Sequence, residues 1–222
     1  MSQPSLREAY AGPVLICSIV VAGGVGARMG RSLPKQLEVV KGKRILDWSV
    51  EAMKARSDHV VVVAHPDLID DHAHPLADAV VAGGATRTAS VQAGLHAAKI
   101  FDPTHVLIHD AARPAVPLAV IDRVIDALTS GDDAAIPVVE VTDSLRTVDG
   151  VGVDRSKYCA VQTPQGFDFQ LIQRAHASGR EATDDAWLVD AIGVRVAHVA
   201  GDAQNIKVTV AADLARAAIL LG

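Results

Sequence analysis

Val14-Leu15-Ile16-Cys17-Ser18-Ile19-Val20-Val21, followed at once by Ala22-Gly23-Gly24-Val25-Gly26-Ala27-Arg28-Met29-Gly30, is the stretch on which the fold turns. Its first half is an apolar, β-branched run that reads as a strand buried on both faces. A buried strand that enters a glycine-rich turn leaves backbone N–H groups bare at the sheet edge. No Cβ blocks the approach of a phosphate there. Arg28, and Lys35 in Pro34-Lys35-Gln36, add positive charge at the same place. Two well-known glycine loops do not match. The dinucleotide fingerprint needs a third glycine where Met29 stands, and the Gly-Lys-Ser/Thr ending of a P-loop occurs nowhere in the chain. A plain strand-to-helix turn uses the same glycines, so the loop alone leaves both readings open.

Strand-like apolar runs recur at 60–64, 106–109, 134–139 and 194–199. Between and after them, Leu46/Val50/Met53, Val91/Leu95/Ala98, Val120/Val124/Leu128 and Leu214/Ala217/Ala218/Leu221 fall at helical spacing. This alternation predicts an α/β fold with a doubly wound, mostly parallel sheet, in which ligands sit outside the carboxyl ends of the strands. The glycine loop and Asp110 both fall at such ends. From 141 to 161 the alternation breaks, and Asp149-Gly150 is a hairpin turn signal between short β-prone pieces. A β-arm projecting from a single domain of residues 1–222 is expected, and with it a homodimer; an ordinary surface hairpin has the same sequence.

The 222 residues are half hydrophobic and only 3% aromatic, enough for one large core. A net charge of −5 argues against a general nucleic-acid binder, which needs a basic face. Cys17 and Cys159 lack metal-ligand spacing, and Cys17 reads as a small buried apolar residue. Arg7 and Glu8 make a poor signal-peptide start, and no apolar run approaches membrane-spanning length. A soluble cytoplasmic protein is expected. Asp70-Asp71-His72-Ala73-His74 offers metal-ligating side chains, but without the converging set that zinc needs.

Four further clusters carry chemistry. Gly83-Gly84-Ala85-Thr86-Arg87-Thr88-Ala89-Ser90 is a turn entering a helix with hydroxyls in its first turn, which also suits a simple cap. His109-Asp110-Ala111-Ala112-Arg113-Pro114 puts a carboxylate just past a strand, a seat for a Mg²⁺–phosphate pair or an Asp–Arg ion pair ordering a turn. The others are Gln162-Thr163-Pro164-Gln165-Gly166-Phe167 with Thr183-Asp184-Asp185-Ala186, and Asn205-Ile206-Lys207-Val208-Thr209.

In this order and spacing the clusters resemble the 2-C-methyl-D-erythritol 4-phosphate cytidylyltransferases over roughly residues 16–221. The resemblance implies a Rossmann-like nucleotidyltransferase fold. It implies transfer of CMP from CTP to a sugar-alcohol phosphate with Mg²⁺ and release of pyrophosphate, within non-mevalonate isoprenoid biosynthesis. By the same resemblance Arg28, Lys35, Arg155 and Lys207 are catalytic. Ala22, Gly23, Gly24, Gly26, Gly84, Arg87, Ser90, Asp110 and Ala111 bind the nucleotide. Arg113, Ser144, Arg155, Thr183 and Lys207 bind the acceptor, Arg155 reaching across a dimer, and Asp110 faces the metal. Three positions depart from the family pattern: Val21-Ala22-Gly23-Gly24 replaces Pro-Ala-Ala-Gly, Ala85 replaces a frequent acidic residue, and Ser144 replaces threonine. The first of these is closer to ribitol-5-phosphate cytidylyltransferases, whereas His109 to Pro114 favours methylerythritol phosphate. A different class, a non-catalytic nucleotide-binding module, is disfavoured by the loop cations and Asp110.

Overall fold

A computed structural model of the chain describes residues 13–23 and 34–222; Gly24, Gly26 and Arg28 lie outside the described residues. The expected first strand is β1 (Ile16–Val21). After it come β2 (Val39–Val40), β3 (Lys43–Arg44), α1 (Ile45–Lys54), β4 (His59–Ala64), β5 (Ala79–Ala82) and α2 (Arg87–Ala98). Then follow β6 (His105–Asp110), α3 (Leu118–Thr129), β7 (Ala134–Glu140), β8 (Leu145–Arg146), β9 (Gly152–Val153) and β10 (Cys159–Val161). The chain ends with β11 (Gln165–Asp168), α4 (Phe169–His176), α5 (Asp185–Asp190), β12 (Ala197–Ala200) and α6 (Ala211–Leu220).

The main sheet runs β10-β7-β11-β6-β1-β4-β5, with β12 on the other edge of β7. β6, β1, β4 and β5 are mutually parallel, and β12 is parallel to β7. Period-two alternation explains why both faces are apolar. In β1 and β4, Cys17, Ile19, Val61 and Val63 pack with Val91 and Leu95 of α2, while Val20, Val60 and Val62 pack with Val50 of α1 and Val120 of α3. Helix α2 lies close because Gly94 has no side chain: a Cβ there would stand 2.5 Å from Ile19 Cγ2 and 2.9 Å from Val63 Cγ2. Cys17 is fully buried, and burial pushes its thiol up to about 12, the inert apolar role its position suggested.

The doubly wound reading holds, with antiparallel neighbours on one side. β11 lies between β6 and β7 and is antiparallel to both, as is β10 to β7. The two strands follow the same edge of β7, but their register against it slips by two residues between Val161↔Val138 and Gly166↔Ala135. The extra length bulges at Gln162-Thr163-Pro164, where the Thr163–Pro164 peptide is cis. The last strand-like run starts later than its sequence indicates, at Ala197 instead of Val194.

Of residues 141–161, the last three are β10 and belong to the main sheet; only the residues before them lie outside it. β8 and β9 make a separate two-stranded sheet, closed by a turn in which Gly150 takes φ +95°, a conformation that favours glycine. Val148, Val151 and Tyr158 are exposed on it. Among the described residues no helix is long and apolar enough to cross a membrane.

Candidate active site

Where the parallel strands end, the backbone turns away and a cavity of about 620 Å³ opens. Ala22 and Gly23 leave β1, His65 and Pro66 leave β4, Gly83 and Gly84 leave β5, and Asp110 ends β6; all line it. The loops stay on the sheet through backbone bonds, Ala22 N–H to Val63 O and Gly83 N–H to Ala64 O, both 2.7 Å. Thr86 caps α2, its hydroxyl accepting from Ala89 N–H at 3.1 Å. The buried Ser90 hydroxyl lies one turn on. It accepts from Gly84 N–H at 3.2 Å and donates to Thr86 O at 2.9 Å, which fixes the Gly84 loop as a rigid wall.

On the opposite wall, Gln36 is buried and donates to Ala22 O at 2.6 Å, so the chain that leaves β1 returns to its end. Lys35, its neighbour, lines the cavity and donates Nζ–H to Val208 O at 3.0 Å. The C-terminal segment is pinned on both sides of Lys207. Asn205 is buried and donates to Thr163 O at 2.9 Å, and Val208 N–H bonds Ala112 O at 2.8 Å. Lys207 between them reaches Asp110, Nζ to Oδ2 at 2.7 Å.

Asp110 is the electrostatic centre. Burial alone would raise its pKa; Lys207, Arg87 and Arg113 outweigh that and hold the carboxyl well below the usual carboxylate range. Lys207 bonds Oδ2, while Arg87 Nε stands 3.6 Å from Oδ1, beyond hydrogen-bond reach. Arg113 sits behind the carboxylate, away from the cavity: its Nη1 donates to Asn205 O at 2.7 Å, and its Nε stands 4.0 Å from Asp110 Oδ2.

Two motif residues to which the sequence assigned no role hold Asp110 from below. His109 is fully buried; its Nε2 faces Arg113 O at 3.2 Å and its Nδ1 faces Thr163 Oγ1 at 3.1 Å. A carbonyl only accepts, so Nε2 carries the proton and Nδ1 accepts from the Thr163 hydroxyl. That hydroxyl in turn accepts Asp110 N–H at 3.1 Å. These three bonds run in one consistent direction, and they explain why a His-Asp pair and a Thr-Pro bulge belong to one site.

Burial lowers the His109 pKa from 6.5 to about 4, against smaller opposing effects of Asp110 and the Arg113 carbonyl. An unfolded chain takes up this proton below pH ~6.5 while the folded one refuses it, so stability falls as pH drops through that window and levels off below 4. The displacement corresponds to about 3 kcal/mol. Burial also lowers the pKa of His72, His74 and His105, so the whole acid slope is steeper. Urea unfolding at pH 7 and 4.5 is expected to show a shallower loss in His109→Gln than in the unsubstituted chain; equal slopes would remove His109 from this account.

The remaining sequence candidates lie apart from the cavity. Ser144, Arg155 and Thr183 do not line it, and the first two stand exposed on the arm, where Arg155 Nη1 donates to Thr142 O. The 70–74 segment has its buried imidazole engaged: His72 Nδ1–H donates to Leu68 O at 2.5 Å, and its Nε2 faces Gln36 Nε2 at 3.4 Å. Among the described residues no three metal-ligating side chains converge. His65 and Pro66, on the cavity wall, carried no sequence signal beyond the end of a strand.

A doubly wound sheet with a cationic, carboxylate-centred cleft at its parallel strand ends is the architecture of a nucleotidyltransferase. The chain belongs to the 2-C-methyl-D-erythritol 4-phosphate cytidylyltransferase family, whose model matches residues 16–222. It is 40% identical over 220 residues to 2-C-methyl-D-erythritol 4-phosphate cytidylyltransferase of Rhodococcus jostii (strain RHA1), covering 95% of this chain and 96% of that one. It is 43% identical over 226 residues to the bifunctional enzyme IspD/IspF of Sphingopyxis alaskensis, covering 97% of this chain and 57% of that one. The crystal structure of 2-C-methyl-D-erythritol 4-phosphate cytidylyltransferase from Thermus thermophilus superposes with a TM-score of 0.78 at 37% identity, covering 91% of this chain and 97% of that chain.

Proposed function

We infer that the chain transfers CMP from CTP to 2-C-methyl-D-erythritol 4-phosphate, giving 4-diphosphocytidyl-2-C-methyl-D-erythritol and pyrophosphate. The observation that carries the chemistry is the convergence of Lys35, Lys207 and Asp110 on one cavity at the parallel strand ends. An acceptor phosphate oxygen attacks the α-phosphorus of CTP, and the bond from that phosphorus to the β-phosphate's bridging oxygen breaks. The nucleophile is already ionised at neutral pH, so no general base is needed. What the protein supplies is in-line positioning and screening of two anions. Ala22, Gly23, Gly84, Arg87, Ser90 and Ala111 form the nucleotide's walls, and with them we place Gly24, Gly26 and Arg28. Lys35 and Lys207 face the phosphates. Arg113 acts through Asp110 and the Asn205 carbonyl, holding the carboxylate and the Lys207 segment in place.

Asp110 Oδ1 fits a magnesium ion that arrives with the triphosphate, since Mg²⁺ takes one or two carboxylates plus phosphate oxygens. When bound, the ion would neutralise charge that develops on the phosphoryl oxygens. Ser144, Arg155 and Thr183 we assign to the acceptor, with Arg155 delivered by a partner's arm in a homodimer; the exposed Val148, Val151 and Tyr158 support an arm that pairs. The chain is read as one nucleotidyltransferase unit. A cytoplasmic setting suits its free thiols, one of them exposed.

Pyrophosphate release with CTP, ATP, GTP and UTP against methylerythritol phosphate and ribitol 5-phosphate tests this reading. CTP with methylerythritol phosphate is expected to give the highest kcat/KM. Preference for ribitol phosphate, towards which Ala22-Gly23-Gly24 leans, would overturn the acceptor assignment. No release with any pair would return the chain to a nucleotide-binding module.

A further inference from the structure

Beneath the nucleotide cavity a buried polar chain runs from helix α4 to Asp110. His176, the last residue of α4, faces Asp185 with Nε2 3.0 Å from Oδ1, and both side chains are buried, at 3% and 1% exposure. A carboxylate oxygen only accepts, so Nε2–H donates. Asp185 Oδ2 in turn lies 2.8 Å from Arg87 Nη2. Among the described residues no well-aligned N–H points at that oxygen, so the contact is ionic more than directional. Arg87 lines the cavity, with its Nε 3.6 Å from Asp110 Oδ1. Burial opposes the charge on Arg87, but Asp185 and Asp110 outweigh it and raise its pKa.

The Gln165 side chain fixes the main chain at Asp185, and His176 fixes its side chain. Gln165 Oε1 accepts from both Asp185 N–H and Ala186 N–H, at 3.0 and 3.1 Å. The carboxylate keeps its side-chain rotation, and the bond from His176 removes it. Gln92 Nε2–H donates to His176 O at 3.1 Å, tying the end of α4 to α2, the helix that begins with Arg87.

We propose that His176 is a positioning residue for nucleotide binding: by holding Asp185 Oδ1 it keeps Oδ2 facing Arg87, and so keeps the guanidinium at the cavity wall beside Asp110. The proposal rests on the cytidylyltransferase reading of that cavity. It separates from that reading because the unsubstituted protein decides whether CTP is used at all.

His176→Leu is expected to raise KM for CTP about tenfold, the size of a buried charge-assisted hydrogen bond. With the reacting groups untouched, kcat is expected to stay within about threefold. His176→Gln, whose side-chain amide also donates, is expected to restore most of the affinity. In an Arg87→Ala background, His176→Leu is expected to add nothing further to KM, because the two act through one contact. Asp185→Asn, which keeps the shape but not the charge, is expected to raise KM in the same way and carries the test if His176→Leu does not fold. A folded His176→Leu protein with unchanged KM for CTP would overturn the proposal. So would an equal KM increase with and without Arg87, or, if Asp185→Asn carries the test, an unchanged KM in that variant.

Discussion

Replacing Lys35 with alanine is expected to lower kcat about 10²–10³-fold while the protein stays folded, the cost of removing one fixed donor to developing charge. Lys35 is half-buried on the cavity wall and its ammonium reaches Val208 O at 3.0 Å, a bond that ties the loop after β1 to the Lys207 segment. That carbonyl belongs to the fully buried Val208, whose N–H stays bonded to Ala112 O, so the lost donor should cost about 1–3 kcal/mol and leave the segment in place. The catalytic role we assign to Lys35 has no such backup, because a solvent dipole must reorganise where a fixed ammonium does not. Steady-state pyrophosphate release and circular dichroism of Lys35→Ala together make the check. A folded variant with kcat within about threefold of the starting protein would remove Lys35 from the reaction. A raised KM for CTP with kcat intact would recast it as a ground-state contact.

The parts of the fold legible in sequence are those whose burial pattern is periodic. β1 and β4 are buried on both faces and read as continuous apolar runs. In α3 the buried residues Val120, Val124 and Leu128 sit at the spacing that marked it as a helix. Asp149-Gly150 gave away its hairpin because a tight turn needs positive φ. β11 was legible only as a motif. Four residues, Gln165-Gly166-Phe167-Asp168, alternate in no apolar pattern, yet all are buried because β6 and β7 enclose them. The same limit applies to side chains. Asp110 stood out as a charge at a strand end and Lys35 as a cation beside a glycine loop, while Lys207 was assigned only through the family motif. Arg113 looked the same in sequence, and only the folded chain turns it behind Asp110 to meet Asn205 O. His109, Thr163 and His176 were unreadable because each acts by a hydrogen bond to a residue between 9 and 54 positions away.

Asp110→Asn separates the two functions that converge on this carboxylate. The amide keeps the size of the side chain and leaves the residue's N–H on Thr163 Oγ1, so the end of β6 should hold its shape. What changes is charge. Lys207, Arg87 and Arg113 lose their shared anion, and the cavity becomes more positive by one unit. Without magnesium, CTP is therefore expected to bind at least as tightly as before, since a triphosphate meets Lys207 and Arg87 with less neutralisation from within. Turnover with magnesium is expected to fall about 10³-fold, because the anionic oxygen that would hold the ion against the phosphates is gone. Stability should fall by about 1–3 kcal/mol, the penalty for taking one shared anion from partly buried cations, of which Arg87 keeps Asp185. Calorimetric titration of CTP in a chelator and pyrophosphate release in magnesium decide the matter. Weakened metal-free binding would show that Asp110 organises the cations around the nucleotide instead of opposing it. A kcat within about tenfold of the starting protein would take the metal site away from this residue.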